Sequence, residues 1–306
     1  MSTGVVLQQM LVIFLLILTG FIIYKKGIVS YDTSRQISAL ITNVCNPALM
    51  IASVFSDEMT ATRGDVLATA LIALVVYLIM IAAGFAVPLI LRVKRDERKY
   101  FNLMMVYGNT GFIGIPVVTA LLGEGAVIYV TVFNFFYNIF IYTHGIFVLN
   151  LGAENGNRFS FKKLINIGTI SSVLAVILFW FEIPLPVSVI ETTSYIGKCT
   201  TFLSMIVLGV SVARTNIGRI FGNIRLYLFT MIRLIAFPIL VTLVLKPFVA
   251  NPTILAVTLL LTSMPVGNMP LMLAQEQGEE AETLSNGIIL TTLLSLITIT
   301  ITTRFL

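Results

Sequence analysis

The sequence predicts an all-α membrane protein of ten spanning helices, arranged as two inverted repeats of five helices each. Composition is the first ground: of 306 residues, 58% are hydrophobic and 11% charged, and the mean hydropathy of +1.00 lies far outside the range of soluble domains. The second is length, because apolar runs of about 20 residues, enough to cross a bilayer, recur ten times along the chain. The third is a pair of strings rich in helix breakers that interrupt two of those runs at matching places in the two halves.

The runs can be justified in order. Residues 5–24 have no Lys or Arg before them and Lys25 and Lys26 just after, the reverse of a signal peptide, so this run is expected to stay as a helix. Residues 34–55 open on the polar Ser34-Arg35-Gln36 and carry Asn43 and Asn46 further in, and 65–91 are largely apolar after Asp65. Residues 100–122 contain the string GNTGFIGIP, and 126–151 carry Asn134, Asn138 and His144. The linker 152–163 is the longest connection and is too short for a soluble domain. Beyond it come 164–181, then 192–213 with Lys198 and Cys199, then 226–245 with Arg233, then 253–275 with the string SMPVGNMP, and finally 283–303.

An offset of 154 residues places Pro116 on Pro270, Cys45 on Cys199 and Leu49 on Leu203. The first repeat is therefore expected at 1–151 and the second at 164–306. Five is odd, so the second repeat must enter the membrane from the opposite face. Basic residues mark the sides. Lys25, Lys26, Arg35, Arg92, Lys94, Arg95, Arg98, Lys99, Arg158, Lys162, Lys163, Arg214, Arg219 and Arg225 fall in loops of one side, against Arg63, Lys246 and Arg304 on the other. The positive-inside rule then puts both termini outside the cytoplasm, in a multi-pass protein of the inner (plasma) membrane, with the acidic loop 276–282 cytoplasmic.

Non-helical backbone at membrane depth survives only where protein buries it or where it lines a watery cavity. Broken helices at matching positions of inverted repeats point to a substrate site. Each outgoing half-helix is expected to begin near a proline, Pro116 or Pro270, with Pro265 and Gly267 also at the second break. Its free N–H groups and positive dipole end favour an anion. Every Asp and Glu lies in a loop or at a helix end, which leaves the interior rich in amides. An amide donates and accepts without the cost of a buried charge. Asn46, Asn109, Thr110, Gly111, Gly114, Asn134, Asn138 and Asn268 are the candidate substrate contacts, and Asn134 and Asn138, four apart, share one helix face.

Lys198 lies about six residues inside its run, where a charge costs at least about 2.5–3.5 kcal/mol. It either attracts the anion, stands as a tethered cation where a coupling ion would bind, or snorkels to the interface. His144 could titrate near neutral pH and is the proton candidate, against a packing role. Arg233, eight residues in from Arg225, reads as an anchor at the inner interface. Tyr24, Tyr100 and Trp180 fall at run ends, as an aromatic belt would. Cys45 and Cys199 suggest neither a disulfide framework nor a metal site, and no cofactor motif occurs. Gly-x-Ser-x-Gly, His-Glu-x-x-His and an intramembrane Asp pair are all missing, which argues against an intramembrane enzyme.

The strings YGNTGFIGIPVV, NPALM, FN with YN and YTHG, and MPVGNMPLML resemble the auxin efflux carrier family, whose bacterial members are described as malate or malonate permeases. The resemblance runs the length of the chain. It implies a fold similar to sodium/bile acid symporters, with helices 1, 2, 6 and 7 as scaffold, helices 3–5 and 8–10 as a mobile transport domain, and an elevator-like motion. A secondary carrier of a small organic anion such as malate follows. A sodium-coupled symporter, using hydroxyls such as Thr42, Thr110 and Thr201, and a uniporter driven by the membrane potential stand as alternatives, with sodium or proton as possible partners and a homodimer through the scaffold.

Overall fold

The computed structural model describes residues 3–151, 164–214, 223–279 and 281–305. The linker 152–163, with Arg158, Lys162 and Lys163, and the loop position Arg219 lie outside them. The regular elements among the described residues are all helices, with one isolated antiparallel bridge. Among the described residues six helices are long and apolar enough to cross a membrane: Gly4–Lys25, Tyr31–Val54, Arg63–Ile90, Glu124–Leu149, Val187–Arg214 and Ile224–Leu245. The pair Glu282–Ser295 and Ile297–Phe305, bent by 52°, makes a seventh if taken as one span. The three remaining apolar runs take other forms. Ile167–Trp180 is a helix of only 14 residues, and the runs at 100–122 and 253–275 are each split in two.

Local chemistry sets the helix starts. Thr62 accepts from Asp65 N while the Asp65 carboxylate accepts from Thr62 N at 2.9 Å, a reciprocal cap that opens Arg63–Ile90. Asn166 and Asn251 cap Ile167–Trp180 and Pro252–Ser263 with their side-chain oxygens. Among the described residues four stretches widen into π turns, at Ile41–Cys45, Thr110–Gly114, Ile141–Gly145 and Ile232–Ala236. Three of them run straight into Asn46-Pro47, Ile115-Pro116 and Phe237-Pro238. A proline inside a helix removes one N–H and presses on the carbonyl four residues back, and a widened turn relieves both.

Glycines set how closely the helices pack. A Cβ at Gly209 would stand 2.2 Å from Ile17 O, and one at Gly20 2.5 Å from Ile206 O, so the Thr3–Lys25 and Val187–Arg214 helices touch backbone to backbone. Gly197 brings Val187–Arg214 close to Leu49 of the second helix, where a Cβ would stand 2.8 Å from Leu49 Cα, and Ser171 on Ile167–Trp180 meets Met50. Arg63–Ile90 packs on both Arg98–Val106 and the helix beginning at Val127, and Ile224–Leu245 packs on Pro252–Ser263 and Glu282–Thr302. Large apolar side chains such as Leu7, Leu11, Leu67 and Leu71 remain exposed, as lipid-facing positions would be.

On one face Lys99 pairs with Glu279, which also accepts from the Tyr100 hydroxyl at 2.8 Å. The acidic loop therefore meets the basic 92–99 loop. Glu279→Ala strands both partly buried donors and is expected to cost about 1–3 kcal/mol. By contrast Arg63→Ala, in the exposed Arg63–Glu182 pair, should cost no more than about 1 kcal/mol. Thermal unfolding of the detergent-solubilised protein measures both, and equal losses would contradict this ranking.

Candidate functional site

The first interrupted helix runs Arg98–Val106, leaves helical geometry at Tyr107, Gly108 and Asn109, and resumes over Thr110–Leu122. The second runs Pro252–Ser263, opens over Met264 to Asn268, and resumes over Met269–Glu276. The two breaks cross and pair. Gly108 bridges Val266, Asn109 N donates to Pro265 O at 2.6 Å, and Gly267 N donates to Tyr107 O at 2.9 Å. Each break thus supplies the partners that lipid cannot. Val266 N donates to Thr291 Oγ1, which ties the second break to the last helix. Gly114 lets Leu261 and Met264 close on the first outgoing half-helix, since a Cβ there would stand 3.0 Å from Leu261.

Several of the expected residues converge here. Asn109 caps the outgoing helix by accepting from Phe112 N at 3.0 Å. Thr110 donates to Asn134 Oδ1 at 2.6 Å, with both side chains buried. Asn46 reaches the same break from the second helix. A Cβ at Gly111 would stand 3.3 Å from Asn46 Nδ2, and the buried Asn46 Oδ1 has no partner among the described residues. His144 Nδ1 lies 2.9 Å from the Tyr107 hydroxyl, which donates to Phe140 O. With that one proton committed, His144 Nδ1–H is the donor of the pair. His144 is thereby linked to the residue that opens the first break.

Others fall elsewhere. Asn138 donates to Asn134 O of its own helix and lies against Gly168. Asn268 occupies the cap position of Met269–Glu276, yet it is exposed and makes no side-chain cap bond. Lys198 and Thr42 are exposed. Pro270 stands in the first turn of its half-helix, whereas Pro116 does not: the first outgoing half-helix begins at Thr110, and the π turn carries it into Pro116.

Arg233 corrects the sequence reading most. It is no interface anchor, being fully buried at the crossing, where Nε donates to Met104 O at 3.3 Å and Nη1 to Thr262 O. Nη2 faces Gly108, where a Cβ would stand 2.9 Å away, and has no partner among the described residues. The ion pairs of the described residues, Arg63–Glu182 and Lys99–Glu279, leave it without a carboxylate. Eight residues of depth from Arg225 suggested an anchor at the inner interface. The missed signal was Pro238, five residues on, whose π turn marks a helix shaped for packing.

Helices able to span a membrane, two of the others broken and crossed around a buried cation, define a membrane transport protein. The chain belongs to the membrane transport protein family, the family of the auxin efflux carriers, whose profile matches residues 5–159 and 154–303. It is 27% identical over 314 residues to a Rhizobium meliloti protein named "Putative malonate transporter", covering 97% of this chain and 93% of that protein. It is also 23% identical over 312 residues to an "Uncharacterized transporter" of Methanocaldococcus jannaschii, covering 96% of each. The chain is a multi-pass membrane transporter, not an enzyme.

Proposed function

We propose that this chain is a secondary carrier of a small organic anion, a mono- or dicarboxylate such as malonate or malate, bound where the two broken helices cross. The observation that carries the reading is the paired crossing itself. It brings two half-helix starts to one crossing, the first capped by Asn109 and the second without a side-chain cap at the exposed Asn268. Such starts present N–H groups and positive dipole ends to a carboxylate. Asn109, Thr110, Gly111, Gly114, Asn46 and Asn134 line or support the site at the first break, with Asn268 at the second, and Asn138 braces Asn134 from its own helix.

The ten runs act as two inverted repeats. The 154-residue offset between the two strings of helix breakers supports this division. Helices 1, 2, 6 and 7 form the scaffold, helices 3–5 and 8–10 the moving body, and the two slide in an elevator motion. Both termini lie outside the cytoplasm. The scaffold's exposed apolar face is the surface for a homodimer.

Uptake of labelled malonate and malate into proteoliposomes, with sodium, proton and electrical gradients imposed singly, tests the reading. Accumulation of either, competed by other small carboxylates, is expected. A folded protein that moves no carboxylate under any gradient would overturn it.

A further inference from the structure

A helix that stops inside a protein leaves its last carbonyls unpaired and carries partial negative charge there. Two such ends face each other at this crossing: Arg98–Val106 stops before Tyr107, and Pro252–Ser263 stops before Met264. In carriers with discontinuous helices, half-helix C-terminal ends and unwound carbonyls are the groups that hold a coupling cation. In this chain that place is taken. The Arg233 guanidinium donates to Met104 O in the last turn of one half-helix and to Thr262 O in the last turn of the other.

The surroundings fit a fixed charge. Arg233 is 0% exposed. Gly108 is the residue whose missing side chain leaves room for Nη2. The π turn Ile232–Ala236, imposed by Pro238, sets the arginine on the inner face of its helix. The repeat offset of 154 residues puts Ile79 at the equivalent position of the first half, so the charge is single and not duplicated by symmetry.

We propose that Arg233 is a tethered cation occupying the seat a coupling cation would take between the two carbonyl ends, so that this carrier moves its anion without sodium. The inference rests on the carrier reading above and narrows it, because a coupling cation would have to displace a side chain that cannot leave. The carried anion then crosses with its own charge uncompensated, driven by the membrane potential and its own gradient.

The test uses the full chain, native and as Arg233→Lys and Arg233→Met, in two measurements. Labelled malonate uptake into proteoliposomes is followed with sodium replaced by choline, and thermal unfolding in detergent is compared in sodium chloride and choline chloride. The native protein and Arg233→Lys should show no sodium dependence in either. Arg233→Met should lose uptake in choline, regain part of it in sodium, and alone be stabilised by sodium over choline. The inference is overturned if the native protein needs sodium for uptake or melts higher in it. It is equally overturned if Arg233→Met carries malonate in choline as the native protein does, or melts identically in both salts. Should Arg233→Met fail to fold, the native protein's response to sodium still decides. Should no carboxylate move at all, the carrier reading fails, while the melting comparison still decides whether Arg233 fills a cation seat.

Discussion

Gly209→Val is expected to lower the unfolding temperature of the detergent-solubilised protein more than loss of any single hydrogen bond or ion pair described above. At Gly209 an added Cβ would lie 2.2 Å from Ile17 O, 2.6 Å from Phe21 N and 2.7 Å from Gly20 Cα. All three are backbone atoms of a facing helix, so no side chain can swing away. The Thr3–Lys25 and Val187–Arg214 helices must separate, and the same contact at Gly20 opens with them. Overpacking of this kind costs about 1–3 kcal/mol and occasionally more. In a membrane, where helix association relies on close packing more than on the hydrophobic effect, the upper part of that range is expected. Gly209→Ala should fall between valine and native. Gly4→Ala, with nothing within 4 Å of its Cβ, should leave melting unchanged. If Gly209→Val melts with the native protein, the two helices are not in backbone contact.

The positions of the helices were readable from the sequence because lipid imposes a simple rule: a long run of apolar side chains must span. Five of the six helices that meet the length requirement begin within about three residues of their apolar runs, as end fraying allows, and the sixth, Val187–Arg214, begins five residues before its run. The breaks were readable too, since GNTGFIGIP and SMPVGNMP concentrate residues that a spanning helix avoids. What could not be read is which atoms the breaks find. Gly108 and Val266 are far apart in sequence, and nothing local at either specifies the other.

The same limit explains why buried charge was misplaced. Depth along a helix can be counted from sequence, but the face a side chain occupies depends on its neighbours in space. Arg233 and Lys198 both lie several residues inside apolar runs. Packing buries the first completely and leaves the second exposed. Pro116 shows the limit at a smaller scale. A proline in a first turn and a proline behind a π turn look alike in sequence, yet the second moves the helix start back to Thr110 and makes Asn109 its cap.

The hydroxyl of Thr110 gives the second large effect. It donates at 2.6 Å to Asn134 Oδ1, and both residues are buried, so Thr110→Val keeps the shape and removes the proton. Asn134 Oδ1 is then left without that donor, and a buried group stranded in this way costs about 1–3 kcal/mol. Thr110→Ser keeps the bond and should cost less. The bond also joins the first residue of the outgoing half-helix to the Glu124–Leu149 helix, so its loss frees the half-helix start that the carrier reading assigns to the anion. Thr110→Val should therefore lower both the unfolding temperature and malonate uptake, with Thr110→Ser close to native in each. Asn134→Leu should abolish the difference between valine and serine at position 110, since the acceptor is then gone and the two changes no longer add. If the valine and serine variants differ equally with and without Asn134, the effect lies in the methyl packing of position 110, and the bond to Asn134 does not hold the break in place.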